Sequence, residues 1–141
     1  MRSVFPTLAA LALLLPGIAH AQLAALTIRV QGLEPTTGSV EVSLFNAEDT
    51  FMKKPMVQQS KEVNGNAELV FEFAGVLEGQ YAAVAVHDEN ANGVLDNGFL
   101  GIGGEGYGFS NDSGPWLGHP SFDAASFEVG KENLEITFQV D

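Results

Sequence analysis

The chain has 141 residues, 18 acidic against 6 basic, a formal net charge of −12 and no cysteine. Such acidity disfavours nucleic acid and anionic lipid as partners and favours cations. The absence of cysteine excludes disulfide stapling, and the length suits a single core.

The N-terminus reads as a secretory signal. Arg2 supplies the positive charge, Leu8 to Leu15 form the core of an apolar run, and Pro16-Gly17 break it. Ala19-His20-Ala21 then offers small residues where a signal peptidase reads. The run is too short to span a bilayer. Residues 1–21 are therefore expected to be cleaved, leaving 22–141 as one domain in a periplasmic or secreted protein.

Beyond Gln22, period-two alternation dominates. Leu26, Ile28 and Val30 alternate with Thr27, Arg29 and Gln31, and a turn follows at Pro35-Thr36-Thr37-Gly38. Val40, Val42 and Leu44 repeat the pattern; Asp49–Pro55 reads as a loop or short helical turn, and Met56–Val63 as a weaker strand. After Asn64-Gly65-Asn66, Leu69, Phe71 and Phe73 form another half-buried strand. Gln80–Val86 is apolar on both faces, which predicts a central strand. In Leu77-Glu78-Gly79-Gln80-Tyr81, the spacing is that of a tyrosine corner, whose hydroxyl pins the loop before it.

Asp88–Pro120 is irregular and glycine-rich, yet it carries Phe99, Leu100, Ile102, Tyr107, Phe109, Trp116 and Leu117. That is too apolar for a disordered segment, so the region is expected to fold back on the sheets. Ser121–Val129 is a second weak strand, and Leu134, Ile136, Phe138 and Val140 alternate to the end. About seven short strands predict an antiparallel β-sandwich of immunoglobulin-like or transthyretin-like type, with one long glycine-rich loop.

The loop opens with the motif that carries chemistry, D-x-N-x-N-G-x-x-D. Asp88, Asn90 and Asn92 place oxygens at alternate positions, Gly93 permits the bend, Val94 offers its carbonyl, and Asp96 stands ninth. This is how a short loop wraps calcium. The twelfth position, where a bidentate Glu belongs, is Phe99, so a closing ligand would have to come from Glu105 or Asp112. With few carboxylates the expected affinity is modest, on the order of 10⁻⁴–10⁻³ M. The competing reading is a plain turn, since Asp and Asn side chains bond their own backbone. Hard oxygen donors and the lack of cysteine disfavour zinc.

Other motifs carry less. Gly101–Gly106 matches G-x-G-x-x-G but lacks a following helix to hold a pyrophosphate. A hydrolytic dyad of His87 or His119 with Ser110 or Ser113 is conceivable, but Ser110 lacks a nucleophile elbow. His87 reads better as a strand-end histidine fixing the loop. Trp116, the only tryptophan, reads as a cap on the core or as part of a ligand groove, the core reading being preferred.

Three motifs together resemble one family. They are Leu-x-Gly-x-Tyr, His-Asp-Glu-Asn-x-Asn-Gly-x-Leu-Asp and Gly-x-x-x-Glu-x-Tyr-Gly-Phe-Ser-Asn, with Tyr81 to Asn111 the most specific stretch. The chain resembles exported bacterial proteins grouped as domain of unknown function 2141, departing from the pattern at Gly103-Gly104, where a proline is expected. The resemblance implies an exported sandwich and no particular activity. The resulting expectation is a non-enzymatic module that binds an envelope or extracellular protein or a glycan, with calcium ordering its loop and Phe99, Tyr107, Phe109 and Trp116 as contact groups. The alternatives are a periplasmic hydrolase using His87 and the acidic loop, and a structural subunit that adds a strand to an envelope assembly.

Overall fold

The computed structural model describes residues 23–93, 105–114 and 118–141. The expected signal segment 1–21 lies outside them. Among these described residues eight strands occur in order: β1 Ala24–Gln31, β2 Ser39–Phe45, β3 Val57–Glu62, β4 Glu68–Val76, β5 Gly79–Asp88, β6 Tyr107–Phe109, β7 Ser126–Val129 and β8 Leu134–Gln139. They form a three-stranded sheet, β4-β1-β8, and a five-stranded sheet, β3-β2-β5-β6, with β7 also paired to β5. No helix among the described residues is long and apolar enough to cross a membrane.

The alternating residues meet between the sheets. Leu26, Ile28 and Val30 from β1, with Phe71 and Phe73 from β4 and Phe138 from β8, share one buried core with Val40, Val42 and Leu44 from β2 and Tyr81, Ala83 and Ala85 from β5. The result is an all-β, sandwich-like molecule. Strand β5 is buried on both faces, as its composition predicts. Its other face, Ala82 and Val84, packs with Phe45, Phe51, Phe109, Phe122 and Ala125 in a second cluster. The small alanines let β5 lie between two layers of larger side chains.

Three expectations are corrected. The pairing is not wholly antiparallel, because β1 and β8 run parallel, Leu26 opposite Leu134 through Gln31 opposite Gln139. Ser121–Val129 is not one strand. Its first half is a helical turn, α1 Phe122–Ala125, started by the Ser121 hydroxyl, which accepts from Ala124 N at 3.2 Å. The region after Asp88 is not irregular throughout, since it contains β6 and a 3₁₀ turn at Ser110–Asp112.

Two local devices complete the frame. The Tyr81 hydroxyl donates to Leu77 O at 2.9 Å, the expected tyrosine corner, and burial pushes its pKa up. On edge strand β3, Gln59 Nε2 donates to Glu72 O at 2.9 Å, and Lys61 donates to Val70 O while lying over the Phe71 ring. These side chains fasten the edge of one sheet to the edge of the other. An exposed lysine on this edge also makes β3 a poor template for a further strand.

Candidate functional site

At one end of the two sheets, β5 runs out of ladder at Asp88 and turns. Ala91 and Gly93 take positive φ, 56° and 75°, so the chain coils tightly there. Asp88 organises that coil. Its Oδ1 accepts from Asn92 N at 3.2 Å and its Oδ2 from Gly93 N at 2.7 Å. Asn90 Oδ1 accepts from the same Asn92 N at 3.0 Å. Thus Asp88, Asn90 and Asn92 are brought together, with two side-chain oxygens converging on one nitrogen. The same bonds make the turn self-supporting. Val94 and Asp96 lie outside the described residues, as do Phe99 and Trp116.

Spacing left two candidates for a closing ligand, and geometry separates them. Glu105 is 8% exposed, and its Oε1 accepts from Glu89 N at 3.1 Å, directly beside Asp88. Asp112 is engaged elsewhere, accepting from Gln139 N at 2.8 Å at the end of β8. Among the described residues no three His, Asp or Glu side chains converge closely enough to share a metal ion. An ion held by this turn would therefore depend on amide oxygens as well as on Asp88 and Glu105.

The base of the turn is clamped by a segment that sequence reasoning treated only as a connection. A Cβ at Gly38 would lie 2.0 Å from Asp88 O, and Gly38 φ is +79°. The Thr37 hydroxyl donates to Glu89 O at 3.3 Å, and the His87 ring meets Thr37 O through Nε2 at 2.8 Å. A carbonyl oxygen only accepts, so Nε2 carries the hydrogen. His87 is held by hydrogen bonding at the strand end, as expected, but its ring fixes the Pro35–Gly38 turn and not the loop that follows it. The signal for the clamp was the glycine ending Pro35-Thr36-Thr37-Gly38, though nothing in the sequence names Asp88 as its neighbour.

No hydrolytic dyad is assembled among these residues. Ser110 is fully buried; its Oγ accepts from Ala83 N at 3.0 Å and donates toward the carbonyls of Ala83 and Ala125. The Ser113 hydroxyl donates to Ser110 O at 2.8 Å. His119 sits edge-on to Phe51, with ring centroids 6.0 Å apart. The one basic side chain on the outer face of β1, Arg29, pairs with Glu68 and Glu135. Glu68 is held below the ordinary carboxylate range, first by the Gln31 amide and then by Arg29. Of the proposed contact aromatics, Phe109 is buried and Tyr107 half-buried against it, edge to face at 5.7 Å.

No curated protein and no solved structure matches the chain. One family does, over residues 28–137, a span that runs from β1 into β8 and includes the Asp88 turn, Glu105 and the Thr37–Gly38 clamp. On that match, which covers most of its length, the chain belongs to the family described as "Uncharacterized protein conserved in bacteria (DUF2141)".

Proposed function

We propose that this protein is an exported, non-enzymatic binding module, a sandwich of immunoglobulin-like or transthyretin-like type, whose Asp88 turn takes up calcium. The observation that carries the reading is Glu105, a buried carboxylate that accepts from the amide of Glu89, the residue next to Asp88 at the start of the turn. Burying a carboxylate is costly unless hydrogen bonds or a cation compensate it. The ligand set would be Asp88, Asn90, Asn92, the Val94 carbonyl and Asp96, with Glu105 in place of the absent twelfth-position Glu. Bound calcium would stiffen the loop that presents the module's contact surface to an envelope or extracellular protein or a glycan. The hydrolase alternative gains no support from His87 and Ser110, which are each committed to backbone groups. The edge-strand Lys61 disfavours the strand-adding assembly subunit.

Calcium titration of the purified mature protein, followed by thermal unfolding, tests the reading. A ligand of the folded state at ten times its Kd adds about 1.4 kcal/mol, a few degrees in Tm for a domain of this size. Asp88→Ala should abolish the gain and Glu105→Gln reduce it. An unchanged Tm through about 10 mM calcium, well above the affinity expected of such loops, would sink the metal reading.

A further inference from the structure

Beside the clamp lies a pocket of about 390 Å³, lined among others by Gly32, Glu34, His87, Glu89, Val140 and Asp141. Among the described lining residues the polar side chains are three carboxylates and one imidazole, with no lysine or arginine. The imidazole is the informative member. His87 is 1% exposed, and its Nε2–H is spent on Thr37 O. The other ring nitrogen, Nδ1, makes no hydrogen bond among the described residues. Yet among the described residues no fully buried side-chain nitrogen or oxygen lacks a partner. The ring's small remaining exposure therefore lies at Nδ1, and His87 is one of the residues that line the pocket. With the hydrogen on Nε2, Nδ1 of the neutral ring presents a lone pair.

From this arrangement we infer that the pocket binds a small organic cation bearing a primary ammonium. An ammonium carries three N–H donors and no acceptor. One donor satisfies His87 Nδ1, and the others reach the carboxylates of Glu34, Glu89 or Asp141. Gly32 and Val140 give the pocket an apolar wall against which an alkyl stem can lie. A bare metal ion fits less well, because no three of the lining His, Asp and Glu side chains converge on one point. The net charge of −12 draws cations toward the molecule as a whole, and the pocket adds directional acceptors. The pocket adjoins the Asp88 turn at His87 and Glu89, but none of the described side chains assigned to calcium lines it.

Two compounds share this chemistry and distinguish its source: 1,5-diaminopentane, a free diamine, and Nα-acetyl-lysine N-methylamide, a protein side chain. Calorimetric titration of the mature protein should give saturable binding of at least one, and the tighter of the two names the source. Tetramethylammonium, which has the charge but no N–H donor, should not bind at equal ionic strength. His87→Gln keeps a donor for Thr37 O and removes the Nδ1 acceptor. Glu34→Gln changes an exposed side chain and spares the core. Each should weaken binding about tenfold, the loss expected for one charge-assisted hydrogen bond. If His87→Gln fails to fold, Glu34→Gln alone decides. No saturable heat, equal binding of tetramethylammonium, or undiminished affinity in the folded variants would overturn the assignment.

Discussion

Gly38 and Gly65 both hold a left-handed backbone, with φ of +79° and +82°, but only one of them is crowded. At Gly38 a methyl group would meet Asp88 O at 2.0 Å and the Glu89 carbonyl at 2.8 Å, while at Gly65 it would meet nothing within 4 Å. The pair separates backbone strain from steric exclusion. Gly65→Ala should cost about 1–2 kcal/mol, the left-handed penalty alone. Gly38→Ala should cost about 2–5 kcal/mol, since overpacking adds to that penalty. It should also displace the Asp88 turn. Urea unfolding of both variants checks the difference; equal losses would mean that Gly38 does not clamp Asp88. Tyr81 offers a second residue-scale check. Its hydroxyl donates to Leu77 O, and burial raises its pKa, so the folded state keeps the proton after the unfolded state has released it. The corner's contribution is therefore complete below the ordinary tyrosine pKa and declines as pH rises through the folded-state value. Tyr81→Phe should lose about 0.5–1.5 kcal/mol at neutral pH, with the gap to wild type closing in alkaline solution.

Strand β5 shows what a single element can ask of its neighbours. One edge pairs with β2 from Ala82 to Asp88, whereas the other is shared between β6, opposite Val84 to Val86, and β7, opposite Gly79 to Ala82. Ala83 falls at the junction, and the Ser110 hydroxyl bonds both its N–H and its C=O. Ser110 thus stands in for a rung of the ladder. Ser110→Ala should cost about 1–3 kcal/mol by leaving a buried amide unsatisfied, and amide exchange at Ala83 should accelerate. Such a role was not legible beforehand, because a lone serine in Gly-Phe-Ser-Asn-Asp carries no sign of the strand it will meet. The long alternating strands were legible: Leu26-Ile28-Val30 and Val40-Val42-Leu44 each bury one face, and burial writes period two into the sequence. Tyr107–Phe109 and Ser126–Val129 are too short to establish a period. The parallel pairing of β1 with β8 leaves no mark either, since side chains alternate in the same way whichever direction the neighbour runs. At the candidate site, Asp88, Asn90 and Asn92 were visible as a motif. Which of Glu105 and Asp112 lies near the turn depended on chain path, which places one carboxylate at Glu89 and the other at Gln139.

Across the whole molecule, charge pulls in two directions as the solution is acidified. At neutral pH a surplus of carboxylates repels itself, and this opposes the compact state. Protonation relieves that repulsion. The cluster on the outer face of β4-β1-β8 works the other way, because Gln31 and Arg29 bond the ionised form of Glu68, and Arg29 also reaches Glu135. Hydrogen bonding to Glu68 and Glu135 in turn raises the Arg29 pKa, so the guanidinium stays charged throughout the acid range. The folded pKa of Glu68 lies below its unfolded value. Its contribution is thus present above the ordinary carboxylate range and is lost as pH falls through the depressed folded value. Both partners are solvent-accessible, which keeps the effect modest and sensitive to salt. Bulk repulsion is nearly the same in wild type and in Glu68→Gln, so the difference between their unfolding curves isolates the cluster. Wild type should be the more stable at pH 7 and low ionic strength, and the advantage should shrink with added salt and disappear as the pH is lowered past the Glu68 titration. If the gap instead persisted unchanged at pH 2, the stabilisation would come from packing of the side-chain stem across Gln31 and Arg29, not from its charge.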